Sequence, residues 1–310
     1  MVKFQKNILL SQFSNYKIGG PAKFFFEAKS VEGVRWAVGE TKKQKLDIFI
    51  LGGGTNLLIN DKGFNGLVLK PSLNFLELTN ARTNKAGAGV LMTDLLNFTI
   101  EKGLSGLEWA GGLPGTLGGA IRGNAGAFGG EMKDSVAEVE SFDIKTGKEI
   151  VRSGAECRFG YRSSIFKEKN NKEIILAATL KLKKGDPKKI KSAVQEKIDY
   201  RLLHQPLDHP NIGSIFKNVD LNKIPQALRP RFVSVVKNDP FPVVPAAYLI
   251  SKAGLAGVSH GGAMISPKHP NFIVNVLKST ALDVKTLVNL TKKTVKKKFK
   301  INLEEEITEV

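Results

Sequence analysis

Two glycine-rich segments and three short polar motifs hold the residues of this sequence that can do chemistry. The run Leu113-Pro-Gly-Thr-Leu-Gly-Gly-Ala-Ile-Arg-Gly-Asn-Ala-Gly-Ala-Phe-Gly129 puts glycine at 115, 118, 119, 123, 126 and 129. Earlier, Ile48-Phe-Ile-Leu-Gly-Gly-Gly-Thr-Asn-Leu-Leu-Ile59 carries an apolar strand straight into Gly52, Gly53, Gly54, Thr55 and Asn56. Each glycine costs about 0.5–1 kcal/mol in an element interior relative to alanine, so this density marks backbone that must come close to something. Amides with no Cβ in the way suit a pyrophosphate. Two such loops suggest a long, two-phosphate ligand gripped from two sides.

The polar motifs each admit two readings. In Phe159-Gly-Tyr-Arg-Ser-Ser-Ile-Phe166, Arg162 can hold a carboxylate or phosphate in a planar fork, or can be an exposed loop arginine in a surface ion pair. In Pro210-Asn-Ile-Gly-Ser-Ile-Phe-Lys-Asn218, Ser214 can donate a proton if its hydroxyl is kept dry. It lies outside a Gly-x-Ser-x-Gly elbow and can equally be a turn serine with a local hydrogen bond. Leu303-Glu-Glu-Glu-Ile307 is either a solvated tail or a strand. As a strand it points Glu304 and Glu306 to one face and Glu305 to the other, and can turn one acid inward. His269 reads as a structural histidine.

Short helices and strands must position these residues. Val31, Val34 and Val38 have helical spacing, and a strand at 47–51 leads into the first glycine turn. A strand follows at 66–70, then a helix over 92–102 that stops at Gly103. Strands at 137–144 and 148–152 flank a turn at Thr146-Gly147, and a further strand covers 174–182. A helix over 188–203 breaks at His204-Gln-Pro-Leu-Asp-His-Pro210. Another starts at Ala246 and stops at Gly254. The chain ends in a helix over 282–300 and a strand over 301–310. This is an α+β pattern in three segments, 1–65, 66–195 and 196–310.

Composition narrows the class. The 310 residues are 42% hydrophobic and 25% charged, as in an ordinary globular protein. Apolar runs fall far short of the ~20 residues of a membrane span, so no membrane insertion is expected, and the first ten residues lack a signal peptide's apolar core. The single cysteine, Cys157, rules out an internal disulfide and points to a reducing cytoplasm. No Cys/His cluster has metal-ligand spacing, so no metal is expected. The net charge of +18 is either attraction to phosphorylated ligands or plain solubility. The lysines of 292–300 read as a solvated helix face, and no nucleic-acid-binding signature accompanies them.

Taken in order, Asn15-Tyr-Lys-Ile-Gly-Gly-Pro-Ala22, Leu51-Gly-Gly-Gly-Thr-Asn-Leu-Leu58, Gly112-Leu-Pro-Gly-Thr-Leu-Gly-Gly-Ala120, Asn124-Ala-Gly126, Phe159-Gly-Tyr-Arg162, Gly213-Ser-Ile-Phe-Lys-Asn218 and Leu303-Glu-Glu-Glu-Ile307 resemble the motifs of the UDP-N-acetylenolpyruvoylglucosamine reductase family. These are flavoenzymes of peptidoglycan precursor synthesis. The resemblance spans nearly the whole chain. It implies a two-domain FAD-binding module of the vanillyl-alcohol-oxidase type, 1–65 and 66–195, and a C-terminal α+β substrate domain, 196–310. It implies hydride passing from NADPH by way of FAD to the enolpyruvyl β-carbon of UDP-N-acetylglucosamine enolpyruvate.

The residue roles follow from the same resemblance. Arg162 would stabilise the charge driven into the carboxylate, Ser214 would protonate the α-carbon, and Glu306 would assist at the carboxylate. Gly52, Gly53, Gly54, Thr55 and Asn56 would wrap the pyrophosphate, opposed by Gly115, Thr116, Gly118, Gly119 and Gly126. Tyr161, Lys217 and Asn218 would contact substrate. A cytoplasmic monomer is expected. The alternative is another FAD-dependent sugar or alcohol oxidoreductase of the same superfamily, which the FAD loops alone would not exclude; the motifs at 213–218 and 303–307 distinguish the two.

Overall fold

A computed structural model describes residues 3–168 and 172–310. The chain divides into two compact units. The first is made of the chain up to Ile8, Ala22–Gly53 and Phe64–Tyr200; the second of Leu9–Pro21, Gly54–Gly63 and Arg201–Val310.

The first unit carries two sheets. In the four-stranded sheet, Gln5–Leu9, Pro21–Ala28, Phe64–Pro71 and Ile48–Ile50 lie in that order, the last three parallel. Leu67, Val68 and Leu69 in its middle are all buried, the continuous apolar run of a strand covered on both faces. The helix Val31–Gln44 starts at Ser30, whose side chain accepts from the Gly33 amide. It buries Val34, Ala37 and Val38 against this sheet's core. The five-stranded antiparallel sheet has the order Glu149–Ser153, Val136–Asp143, Glu173–Lys181, Thr83–Gly87, Leu76–Asn80. The helix Met92–Glu101 packs Met92, Leu95 and Leu96 into its core.

These elements match the α+β pattern read from sequence, with two corrections. The second glycine-rich stretch reads as a loop, yet Leu117–Gly123 within it is helical. Thr116 caps that helix by accepting from the Gly119 amide, and buried Leu117, Ala120 and Ile121 hold it down. Each such burial is worth about 1.5–3 kcal/mol for a large apolar side chain, which outweighs the glycine cost. The terminal strand expected over 301–310 forms only at Thr308–Glu309, with an isolated bridge at Glu305. Ile301 and Leu303 are drawn into the core, so the segment leaves one partner before reaching the next.

The second unit has one apolar core, from Tyr16 and Leu58 through Phe216, Leu249 and Ile273 to Leu287 and Ile307. Two small antiparallel sheets flank it: Val219–Asp220, Pro242–Val244, Lys237–Asn238 and Ser259–His260, Ala263–Ile265, Ile273–Asn275. The helix Ala246–Lys252 ends just before Gly254, which is left-handed at φ +80°. The long helix Ala281–Phe299 opens with a reciprocal cap between Thr280 and Asp283. Its first amide also donates to the Asp61 carboxylate at 2.9 and 3.1 Å. Tyr16 is fully buried and donates its hydroxyl to the Ile273 carbonyl at 2.7 Å; burial pushes its phenol well above the usual range. No helix among the described residues is long and apolar enough to cross a membrane.

Candidate active site

In the first unit the two glycine segments meet backbone to backbone. A Cβ on Gly53 would lie 2.6 Å from the Gly115 Cα, and one on Gly52 would lie 3.1 Å from the Thr116 Oγ1. Only bare glycine allows this approach. Beside the meeting point, Gly52, Thr116, Gly118 and Gly119 line a cleft, with apolar wall from Ile50 and Phe166. Arg122 and Glu173 also line it. Glu173 is buried and already compensated, by Arg152 at 2.9 Å and the Ser141 hydroxyl at 3.0 Å. Burial holds the Arg122 guanidinium below its ordinary range. Gly54, Thr55 and Asn56 belong to the second unit, so the first glycine run is divided after Gly53.

Arg162 sits on a tight turn. Gly160 and Ser163 exchange both backbone hydrogen bonds, at 3.0 and 3.1 Å, which leaves Tyr161 and Arg162 at the tip. Arg162 is left-handed at φ +54°, a conformation uncommon outside glycine. Its guanidinium carbon lies 5.2 Å from the centroid of the Tyr161 ring, and its Nη2 donates to the Gly126 carbonyl at 2.8 Å. Buried Asn124, which ends the helix Leu117–Gly123, donates to the Gly160 carbonyl and to Glu131, both at 3.0 Å. The Asn124-Ala-Gly126 motif is therefore the seat of the Tyr161-Arg162 turn. Cys157 is buried in the same core, and burial pushes its thiol up to about 11; it is a packing residue.

In the second unit the motifs at 213–218 and 303–307 lie side by side. The Lys217 amide donates to the Glu304 carbonyl at 2.9 Å, and the Glu306 amide to the Ile215 carbonyl at 2.8 Å, around an antiparallel bridge between Phe216 and Glu305. Ser214 and Glu306, both half-buried, thus sit at the same end of one short ladder. The neighbouring acids have cations of their own. Lys223 holds the Glu304 carboxyl below its usual range, helped by Lys217, and Lys292 pairs with Glu305 at 2.7 Å. The Asn218 side-chain oxygen accepts from the Ala246 amide at 3.1 Å and so caps the following helix.

Asn271 was not singled out from the sequence. It is buried, and its side-chain amide brackets Phe216, accepting from the Phe216 amide at 3.0 Å and donating to the Phe216 carbonyl at 2.8 Å. Its own carbonyl accepts from the Ile215 amide at 2.8 Å. Asn271 fixes the segment just after Ser214. The signal was a lone amide before the apolar run Phe272-Ile-Val. Buried amides there need partners.

Comparison with known proteins agrees with this layout. Residues 22–153 match the family described as FAD binding domain, and residues 205–310 match UDP-N-acetylenolpyruvoylglucosamine reductase, C-terminal domain. The UDP-N-acetylenolpyruvoylglucosamine reductase of Carboxydothermus hydrogenoformans is 38% identical over 300 residues, 96% of this chain and 91% of that protein. The reductase of Caldanaerobacter subterraneus subsp. tengcongensis is 37% identical, over 98% of this chain and 93% of its own. The crystal structure of the Thermus caldophilus reductase superposes with a TM-score of 0.78 at 30% identity, covering 100% of this chain and 99% of that one. The chain belongs to the UDP-N-acetylenolpyruvoylglucosamine reductase family.

Proposed function

We propose that this protein reduces UDP-N-acetylglucosamine enolpyruvate to UDP-N-acetylmuramate, with FAD as cofactor and NADPH as electron donor. The observation that carries the reading is the antiparallel bridge between Phe216 and Glu305, with the Glu306 amide bonded to Ile215, which brings the segments that carry Ser214 and Glu306 together within the part matched to the reductase C-terminal domain. A different FAD-dependent oxidoreductase would need the glycine segments but not this pairing. The residues present also fit the dinucleotide: where Gly53 packs on Gly115, the neighbouring Gly52, Thr116, Gly118 and Gly119 line an open cleft with little side chain in the way. Gly52, Gly53, Gly54, Thr55 and Asn56, with Gly115, Thr116, Gly118 and Gly119, would hold its pyrophosphate. Gly126 contributes by seating Arg162. Bound there, FAD supplies the relay of hydride from NADPH to the enolpyruvyl β-carbon.

The protein's own groups do the rest. Addition at the β-carbon drives charge through the α-carbon into the carboxylate. Arg162 meets that charge with a planar cation already aimed by Gly126, and fixed donors of this type are worth about 3–4 kcal/mol each. Ser214 gives its proton to the α-carbon, in a segment that Asn271 holds through Ile215 and Phe216. Glu306 assists at the carboxylate. Tyr161, Lys217 and Asn218 border these groups and contact substrate. Functionally, 1–65 and 66–195 serve the cofactor and 196–310 the substrate. The protein acts as a monomer in the cytoplasm.

The test is anaerobic reduction of the flavin by NADPH followed by addition of the enolpyruvyl substrate. Bleaching and recovery of visible absorbance support the reading. Bleaching without recovery transfers it to another acceptor.

A further inference from the structure

Glu306 has almost no secondary structure of its own. The strand after it is two residues long, Thr308–Glu309, and before it stands a single bridge. Its backbone is fixed by two hydrogen bonds to different parts of the second unit. Its amide donates to the Ile215 carbonyl at 2.8 Å. Its carbonyl accepts from Nδ2 of Asn56 at 3.1 Å. The Asn56 carbonyl in turn accepts from the Thr308 amide at 3.0 Å, and Leu57–Leu58 runs parallel to Thr308–Glu309. The tail is thus hung from the residues that follow the glycine turn, Asn56 holding it on both sides of Ile307.

We propose that Asn56 is the positioning residue for Glu306, so that the loop serving the dinucleotide also sets the acid that serves the substrate. The proposal rests on the reading of Glu306 given above. A carbonyl oxygen needs a donor, and of the asparagine side chain's groups only Nδ2 can supply one. Aspartate would keep the shape and present an acceptor instead. Geometry of a reacting group must hold to about 0.5 Å, and loss of Nδ2 removes the donor to the backbone carbonyl of Glu306 itself.

The experiment uses full-length protein reconstituted with FAD in wild type, Asn56→Ala, Asn56→Asp, Glu306→Gln and the Asn56→Ala/Glu306→Gln double variant. The FAD dissociation constant is read from flavin fluorescence, and the pH dependence of flavin reoxidation by the enolpyruvyl substrate is read per bound flavin after reduction by NADPH. If Asn56 acts through Glu306, either Asn56 change slows reoxidation about tenfold or more, yet Asn56→Ala slows the Glu306→Gln protein less than about twofold. The limb of the pH profile that Glu306→Gln abolishes is also displaced in Asn56→Asp. Slowing that multiplies in the double variant overturns the proposal, as does a change confined to the FAD dissociation constant. Should Asn56→Ala fail to fold, Asn56→Asp, with the side-chain volume retained, decides through its pH profile. If Glu306→Gln reoxidises like wild type, the reading of Glu306 falls first and the proposal with it.

Discussion

Arg162 donates from Nη2 to the carbonyl of Gly126 at 2.8 Å across thirty-six residues of sequence. The bond joins two motifs that look independent in the sequence. It fixes one edge of the guanidinium, and the turn beneath it is held by Asn124. A planar fork aimed in advance loses little entropy when it meets an anion.

Arg162→Lys should lower the rate of flavin reoxidation by the enolpyruvyl substrate by about 100-fold or more, while substrate affinity changes by less than about threefold. An ammonium cannot both hold the Gly126 carbonyl and present a second donor in the same plane. Stopped-flow reoxidation and equilibrium titration of the oxidised enzyme separate the two effects. An unchanged reoxidation rate would remove Arg162 from the chemistry.

Ser214→Ala should still be bleached by NADPH and should recover about 10²–10⁴-fold more slowly, the usual range for loss of a positioned proton donor. The segment itself should survive, because Asn271 holds it through backbone groups of Ile215 and Phe216. Near-normal recovery would mean that the α-carbon takes its proton elsewhere.

Two glycines should respond in opposite senses. A Cβ on Gly53 would be 2.6 Å from the Gly115 Cα and 3.1 Å from the Thr116 nitrogen. Both are backbone, so neither can rotate away. Gly53→Ala should weaken FAD binding about tenfold or more, since relief must come from separating the loops; the flavin-to-protein absorbance ratio reports it. Gly39, inside the helix Val31–Gln44, has no atom within 4 Å of an added Cβ. Gly39→Ala should stabilise the protein by about 0.5–1 kcal/mol in chemical denaturation.

His269 is pushed below its ordinary range, first by burial and then by the charges of Lys237 and His204. Its unfolded value is near 6.5, so below that pH the unfolded chain binds a proton that the folded chain resists. Stability should therefore be complete above about pH 6.5 and fall as the pH drops from there. His269→Asn should flatten that part of the curve. Urea midpoints of both proteins at pH 7.5 and 5.5 give the comparison, and parallel curves would exclude His269 as the source.

Much of the site could be read from residue order. Glycine density announced a close backbone approach at 52–53 and 115–119, because no other residue type tolerates it. Periodicity located the long helices, where burial repeats every three or four residues. The helix Leu117–Gly123 was hidden because its three buried apolar residues are matched by three glycines, in a stretch from 113 to 129 that holds six. Asn271 and the second role of Asn56 were hidden for another reason. Their partners lie 55 and 250 residues away, and an amide's side chain looks the same whether it meets solvent or a distant carbonyl. The three glutamates could be split by alternation, but the lysines at 217 and 223 beside Glu304 and at 292 beside Glu305 come from distant parts of the chain and could not be read from it.

The second unit is assembled from Leu9–Pro21, Gly54–Gly63 and everything from Arg201 onward. During synthesis its two early pieces leave the ribosome long before the body they belong to. Tyr16 must wait for Ile273 to accept its hydroxyl, and Asp61 must wait for the Ala281 amide. The first unit has every residue it needs once Tyr200 has emerged, whereas the second cannot close until the last strand, Thr308–Glu309, is laid beside Leu57–Leu58. A fragment beginning at Gln205 would lack both early pieces and should not fold alone, so separating this protein into cofactor and substrate halves requires circular permutation or splicing, not simple truncation.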